Sequence, residues 1–549
     1  MKHFLFTSIA IFLFSIYYAQ DQNWGQFTGN FQGDFQYYVQ DSLIDAPSVP
    51  ERFLMNSFAN FNYSAGKFSA GFRYEGYLNT MLGFPNAGNI NDGVGIPYRW
   101  AGFAADNFEI TVGSFYEQFG NGLTLRTYEQ KLLGIDNALD GIRIKFNPTS
   151  GIYLKGLVGK QRYYWEKGAG IVRGIDGEFH LNDIINKWKD NSLRLILGGS
   201  FVSKYQKDDN PIYVLPENIG AGAGRIAINY KGFNINSEYS YKINDPSADN
   251  NYIYKSGQAL LINATYSQKG FGVLLGTKWV DNMSFRSERD AGLTDLSINQ
   301  LPEITRNHVY SLTAYYPYAT QPTGEWGMQA EVFYNFKRKT PIGGKYGTNV
   351  SVNYSRVQGI TKTPINDTTP IGLAGTSGYT NTFFSIGDSL YFQDINLEIN
   401  KRWGKNLKML LMYQNLKYNY DILRGTNEKL IVNAHVAVID LTYKFKSTIA
   451  LRGEFQALFT DEDKGDWALA TLEFNIPKWF INISDNWNYG NSNPDKRVHY
   501  FNTGVGYTSG ASRIQLSYGR QREGITCVGG VCRAVPASNG VFLTISSTF

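Results

Sequence analysis

Cysteine is nearly absent, with two in 549 residues, and that excludes a disulfide-stapled scaffold. Histidine is also scarce, with five. His3, His180, His308, His435 and His499 are scattered along the chain, so no metal-ligand spacing emerges and no cofactor is expected. Charged residues are only 18% of the chain, below the usual ~25%. The net charge of +5 is too small to argue for a nucleic-acid partner. Beyond the first twenty residues there is no apolar run of the ~18 or more residues that a transmembrane helix needs. No Gly-x-Ser-x-Gly elbow is present, and no catalytic constellation stands out, so an enzyme is not expected. The chain does hold 10 Trp, 38 Tyr, 36 Phe and 57 Gly, and 43% of it is hydrophobic. That content is too high for a disordered chain.

Residues 1–19 read as a signal peptide: Lys2 and His3, then an apolar run to Tyr18, then Ala19. A membrane anchor is the alternative, but a run of ~15 residues is short for a span. Residues 20–549 are then the mature chain.

Alternation dominates the remainder. In residues 67–78, Phe68, Ala70, Phe72, Tyr74 and Leu78 share one face, with Ser69, Arg73 and Glu75 on the other. In residues 448–459, Leu451, Phe455 and Phe459 oppose Arg452, Glu454 and Gln456. Residues 193–204 and 328–337 repeat the pattern, with Arg194, Lys204 and Glu331 on the polar face. A period of two marks a strand with one apolar and one wet face. Ten or more residues per strand, repeated along the chain, suit a tilted bilayer crossing. Short connections such as 64–66, 147–150, 231–232 and 509–510 alternate with long ones such as 41–50, 119–138, 282–305 and 358–386. That is the arrangement of an outer-membrane barrel, with short turns periplasmic and long loops extracellular. The fold class expected is therefore all-β: one large antiparallel transmembrane β-barrel without a separate plug domain. Segment counting gives about thirteen arms up to Lys278 and twelve from His308. An odd total would split the termini, so residues 283–289 are taken as a further short strand. The expectation is about 26 strands, with 24 next, and both termini periplasmic.

The C-terminal segment 540–549 places Val541, Leu543, Ile545 and Phe549 on one face. That is the form of a last strand read by barrel-assembly machinery, and an ordinary last strand is the plainer reading. Cys527 and Cys532 flank Gly529 and Gly530 in the loop before it. A local disulfide in an oxidising compartment fits; a metal pair would need further ligands nearby. Trp100, Trp279, Trp403, Trp479 and Trp487 sit at strand ends, as interfacial girdles do. Residues 220–224 are Gly-rich but open a strand, so a phosphate cradle is not expected. Asp461, Glu462, Asp463 and Asp466 could hold Ca²⁺ through oxygen ligands, although a solvated acidic turn is the simpler account.

The run FGNGLTLRTYE at 119–129, continuing through 133–141, resembles a family of Bacteroidota outer-membrane barrel proteins of unknown function. So do GRQREG at 519–524 and CVGGVCR at 527–533. The resemblance implies a barrel in the outer membrane and carries no activity.

Loop 119–140 holds Arg126, Glu129, Lys131, Asp136 and Asp140 among Leu125, Leu132, Leu133 and Ile135. Folded inward it would constrict a pore with charge; folded outward it would expose those leucines. Arg73, Glu75, Arg194, Lys204, Glu331, Arg452 and Glu454 are the candidate lumen-lining residues. Two functions follow: a porin-like channel for small polar solutes, or a non-transporting barrel that serves as subunit or scaffold of an outer-membrane complex. The expected partners are outer-membrane lipid, the assembly machinery, and in the second case other proteins of that complex.

Overall fold

The computed structural model describes residues 25–84, 93–292 and 294–549. The leader expected over 1–19 lies outside the described residues. Twenty-four strands of eight to sixteen residues form one sheet. Each pairs antiparallel with the next, from Gln26–Tyr38 with Phe53–Ala65 to Ser512–Gln521 with Ser538–Thr548. The first and last strands also pair, Asn30 opposite Thr548 and Tyr37 opposite Val541. The sheet therefore closes with no free edge. Closure is what hydrocarbon demands, because it offers nothing to an unpaired N–H or C=O.

The count corrects the expectation of 26. Thirteen barrel strands precede residue 282 and eleven follow residue 323. Residues 283–289 contribute only a bridge between Arg286 and Ser297, and the run from His308 makes no strand. Two small hairpins lie outside the barrel sheet: Glu129–Gln130 with Ile135–Asp136, and Gly524–Val528 with Val531–Val535. An even count leaves both barrel ends on one side, the side of the short turns. Two-residue turns there need a left-handed backbone, supplied by Gly66 (φ 60°) and Gly510 (φ 59°).

The faces are inverted relative to a soluble protein. Outward residues are large and apolar, with Phe68 66%, Phe27 58% and Ile483 59% exposed. No helix among the described residues is long and apolar enough to cross a membrane; the strands make this apolar belt. The strand that begins the Gly-rich stretch starts earlier than expected, at Asn218. Trp403, Trp479 and Trp487 stand exposed as a girdle requires. Trp100 and Trp279 do not. Trp100 lies over Gly71, whose missing Cβ would sit 2.7 Å from its indole nitrogen. Trp279 is fully buried, its Nε1 donating to the Ser385 carbonyl and its ring against Phe383.

Candidate functional site: the lumen and its inward segments

Among the described residues no separate domain is seen inside the barrel. Two inter-strand segments turn inward instead. The first, residues 116–138, follows Phe108–Phe115. Its Phe119, Leu123, Leu125 and Leu133 are fully buried, whereas Leu132 is 67% exposed. Phe119 packs on Gly174, where a Cβ would lie 2.7 Å from the ring. Asn121 fixes the tip: its backbone N–H and its amide donate to Glu238 at 2.6 and 2.8 Å. The inward orientation of this loop agrees with its leucine content, because those side chains would otherwise meet water.

A buried ionic network anchors the same loop. Asp136 accepts from Arg162 at 2.5 Å and from Arg73 at 3.0 Å. Glu129 accepts from Arg73 at 2.6 Å, and Glu75 accepts from Arg162 at 2.6 Å. Glu75 and Arg73 are 1% and 5% exposed in their side chains. Three carboxylates thus face two guanidiniums, and Tyr116 and Tyr77 donate hydroxyls to Asp136 and Glu75. Burial raises the pKa of Glu129, an effect that Arg73 opposes. Arg162 was not among the residues singled out from sequence. Strict alternation along Ile152–Tyr163 puts it on the outward row of Val158 and Lys160, and the register shift at that end of the strand breaks the alternation.

The second segment, residues 282–323, is the one sequence counting misread. It crosses the lumen against the inward faces of several strands. Arg306 donates to Glu398 at 2.6 Å and Asn396 at 2.8 Å. His308 Nε2 lies 2.7 Å from Asp394. Tyr310 donates to Asp440 at 3.1 Å, and the Leu312 N–H to Gln456 at 2.8 Å. Leu312, Tyr315, Tyr316 and Tyr318 are all under 5% exposed. Burial of one such side chain contributes about 1.5–3 kcal/mol. Two of the apolar clusters are therefore places where inward segments meet the wall.

The two segments are joined. Arg126 N–H donates to Ile298 O at 2.8 Å, Gln300 N–H to Gly122 O at 3.1 Å, and the Asn137 amide to Ser297 O at 2.8 Å. The hairpin of Cys527 and Cys532 meets them too, through Gln300 to Gly529 O and Thr320 to Gly530 O. Those cysteines form a disulfide across one hairpin. Closing so short a loop contributes about 2 kcal/mol at most. Cys527→Ser with Cys532→Ser should leave barrel melting unchanged and should speed proteolysis within 524–535, followed on gels.

One arc of wall carries neither segment at mid-depth. On Trp479–Trp487, His499–Ser509, Ser512–Gln521, Ser538–Thr548 and Gln26–Tyr38, the inward residues include Asn482, Asn502, Gln515, Thr544, Asp34, Gln32 and Asn30. Their hydrogen bonds run along the wall: Thr544 to Asp34 at 3.0 Å, Gln32 to Asp34 at 2.9 Å, Asn60 to Asn30 at 2.8 Å. Its long-loop end carries an apolar cluster of Tyr38, Ile44, Leu54, Val498 and Ala537.

The other expected lumen residues fall as follows. Lys131 lies 4.6 Å over the Phe58 ring and Arg126 5.1 Å over Tyr128. Arg452 bridges Asp440 at 2.9 Å, Glu473 at 3.7 Å, and Glu454, with a third of its side chain exposed. Glu331 is 3.8 Å from Arg306. Arg194 is half exposed near the short turns, 3.9 Å from Asp183. Asp140 departs from the expectation. It is the second residue of Leu139–Thr149 rather than part of the loop, stands on the outward row with Ile142 and Ile144, and pairs with Lys167 at 2.5 Å. The acidic turn does not converge: Asp463 takes the Tyr316 hydroxyl, Glu462 the Thr460 hydroxyl, and Asp466 the Thr460 N–H. Among the described residues no three such groups come together.

Lys204 ends in a second buried cluster. Its ammonium is 2.8 Å from Asp245, and that of Lys242 is 3.5 Å away on the other oxygen, all three side chains at most 1% exposed. Burial alone would raise the Asp245 pKa, but the two ammonium groups outweigh it and hold the carboxyl below its ordinary value. A folded-state pKa below the unfolded one stabilises above the unfolded pKa, and the benefit is lost as pH falls through the folded one. Stability should therefore drop below about pH 4 in urea titrations. In Asp245→Asn that acid-limb slope should shrink, and the barrel should be less stable at neutral pH, because two buried cations lose their counter-ion.

Closed strands, an apolar outer belt and a lumen crossed by the chain's own segments define a β-barrel of the outer-membrane type. Over residues 1–549 the chain matches the model described as a family of unknown function, DUF6029, and it belongs to that family. None of the curated proteins matches it. Among solved structures it is similar to the translocation pore of the P pilus usher (PapC), at 10% identity over 95% of this chain and 99% of that one, TM-score 0.43. It is similar to a mutant of the ferric enterobactin receptor (PfeA) of Pseudomonas aeruginosa, at 10% identity over 96% and 81%, TM-score 0.43. It is also similar to OccK3 (OpdO) of that organism, at 9% identity over 97% and 98%, TM-score 0.34. Likeness at this level is one of general shape, and the architecture stands on the strand pairing itself.

Proposed function

We propose that this barrel is a channel for small polar solutes in the outer membrane of a Gram-negative, Bacteroidota-type cell, with both termini periplasmic and the long loops extracellular. The polar arc through Asn30, Asp34, Asn482, Asn502 and Gln515 carries the reading. It leaves a wet wall at mid-depth facing two segments that narrow the lumen without lining all of it. On this reading Glu129, Asp136, Lys131 and Arg126 hold the constricting loop, and Arg452 with Glu473 faces the aqueous side. The last strand, with Val541, Leu543, Ile545 and Phe549, is the segment assigned to the assembly machinery. Purified protein in planar bilayers should give discrete conductance steps. Silence at every voltage would overturn the channel.

A second reading, a docking scaffold in an outer-membrane complex, is favoured by one observation. Segments 116–138, 282–323 and 522–537 meet on the long-loop side as a continuous bonded surface. Mild-detergent purification from native membranes would then recover stoichiometric partners; recovery of the barrel alone argues against it.

A further inference from the structure

The outer wall of a membrane barrel should be apolar at every outward position except near its rims. On neighbouring strands Ile152–Tyr163 and Glu166–His180, Arg173 breaks this rule at mid-strand, and Lys160 stands beside it toward the long-loop rim. Lys160 lies opposite Ile171, and Arg173 opposite Val158, so the two cations are diagonal neighbours on one face, within reach of a common ligand. Both are exposed. They share that face with Val158 (41% exposed) and Ile175 (64%). Among the described residues neither makes an ion pair or a side-chain hydrogen bond. The nearest carboxylate across the ladder, Asp140 opposite Lys160, is occupied by Lys167 at 2.5 Å. Another outward arginine, Arg356, is treated differently. It is held by the amides of Gln358 and Gln393 at 3.0 and 2.9 Å.

Directly beside Arg173 is a groove of about 330 Å³. Its walls are Ile144, Val158, Ile175 and Phe201, its floor is Gly156, and Arg173 stands at its edge. Gly156 is open space: a Cβ there would meet no atom within 4 Å. Ser203 lies opposite Arg173 on the next strand and adds a hydroxyl at the same edge.

The geometry points to a binding site for a phosphate-bearing membrane lipid, its phosphate on Lys160 and Arg173 and an acyl chain in the Gly156 groove. Unpaired cations bordering hydrocarbon call for an anion delivered in the plane of the membrane. The guanidinium fork suits phosphate oxygens. A neutral lipid would fill the groove and leave the charges unmet; free phosphate would meet the charges and leave the groove empty. The site rests on the barrel spanning a membrane and does not depend on conduction.

Native mass spectrometry of the full-length barrel in detergent tests it without any transport assay. Phosphatidic acid should be retained at least tenfold more than diacylglycerol with the same chains. Lys160→Gln with Arg173→Gln should lose that preference, and Gly156→Phe should lower retention with both cations in place. Lys417→Gln, an outward cation on another strand, should change nothing. The cation variants alter exposed positions and Gly156 is half-buried with open space at its Cβ; an unchanged heat-dependent gel shift confirms their folding. Equal retention by wild type and the double variant overturns the site, as does equal retention of diacylglycerol. Displacement of the lipid by inorganic phosphate at matched concentration would also overturn it.

Discussion

Deletion of residues 303–317, with a short Gly-Ser bridge, is expected to raise single-channel conductance several-fold and admit larger solutes. The segment is tethered by Arg306 to Glu398 and Asn396 and by His308 to Asp394, all inward on Leu390–Arg402. It then runs to Asp440 and Gln456. Its removal uncovers a second polar arc, and barrels of 16–18 strands are already wide enough to leave an aqueous channel when unfilled, so the gain follows from the widened lumen. The wall should survive, because the strand ladder makes no use of the segment's backbone. Planar-bilayer recordings and liposome swelling with sugars of increasing size measure the effect. Unchanged conductance in a folded variant would place the resistance elsewhere, either in loop 116–138 or in the apolar cluster around Tyr38.

The largest stability effect is expected at Arg162. Replacement by Met leaves Glu75, 1% exposed, without its bidentate partner, and removes the shortest contact to Asp136. Breaking a buried pair from one side typically costs about 3–5 kcal/mol. Replacing Glu75 with Gln in the Arg162→Met background removes the stranded charge and should restore about half of that loss. The urea midpoint of the folded barrel, read by the heat-dependent gel shift, reports both. A loss under about 1 kcal/mol would mean that water reaches the network and screens it. Because Asp136 belongs to the inward loop, proteolysis near Lys131 should also accelerate in the single variant.

The wall was legible in the sequence because lipid enforces it. Phe68, Phe72, Phe455 and Phe459 must face hydrocarbon, so period two survives along whole strands. Leu133 and Ile135 likewise betrayed an inward loop, since nothing else would bury them, whereas Leu132, read the same way, stays 67% exposed. Residues 306–318 gave no such signal. A segment packed on a polar lumen needs Arg306 and His308 for carboxylates and Tyr310 and Tyr316 for mixed contacts, so its composition follows neither period. Its tyrosines resemble a strand, and that resemblance inflated the count. Asp140 was misplaced by a boundary error of two residues, enough to turn it from loop to outer wall. The network partner Arg162 was hidden because alternation assigns it to the outward row of Val158 and Lys160, and only the shifted register at that strand end brings it to carboxylates from distant parts of the chain.

The pairing of the first strand with the last has a consequence for biogenesis. Thr544 bonds Asp34 across 510 residues, and Phe549 exchanges two backbone bonds with Gly29. The other wall strands pair with their sequence neighbours, so hairpins can zip up locally in order of synthesis. The seam cannot form until the strand Ser538–Thr548 is available. Bringing such distant ends together costs about 3 kcal/mol more than closing a hairpin of ~20 residues. Until then both seam strands present unpaired edges that would recruit other chains. The seam is thus the one pairing of the wall that links the two ends of the sheet, and it is the pairing that sequence neighbours cannot make on their own.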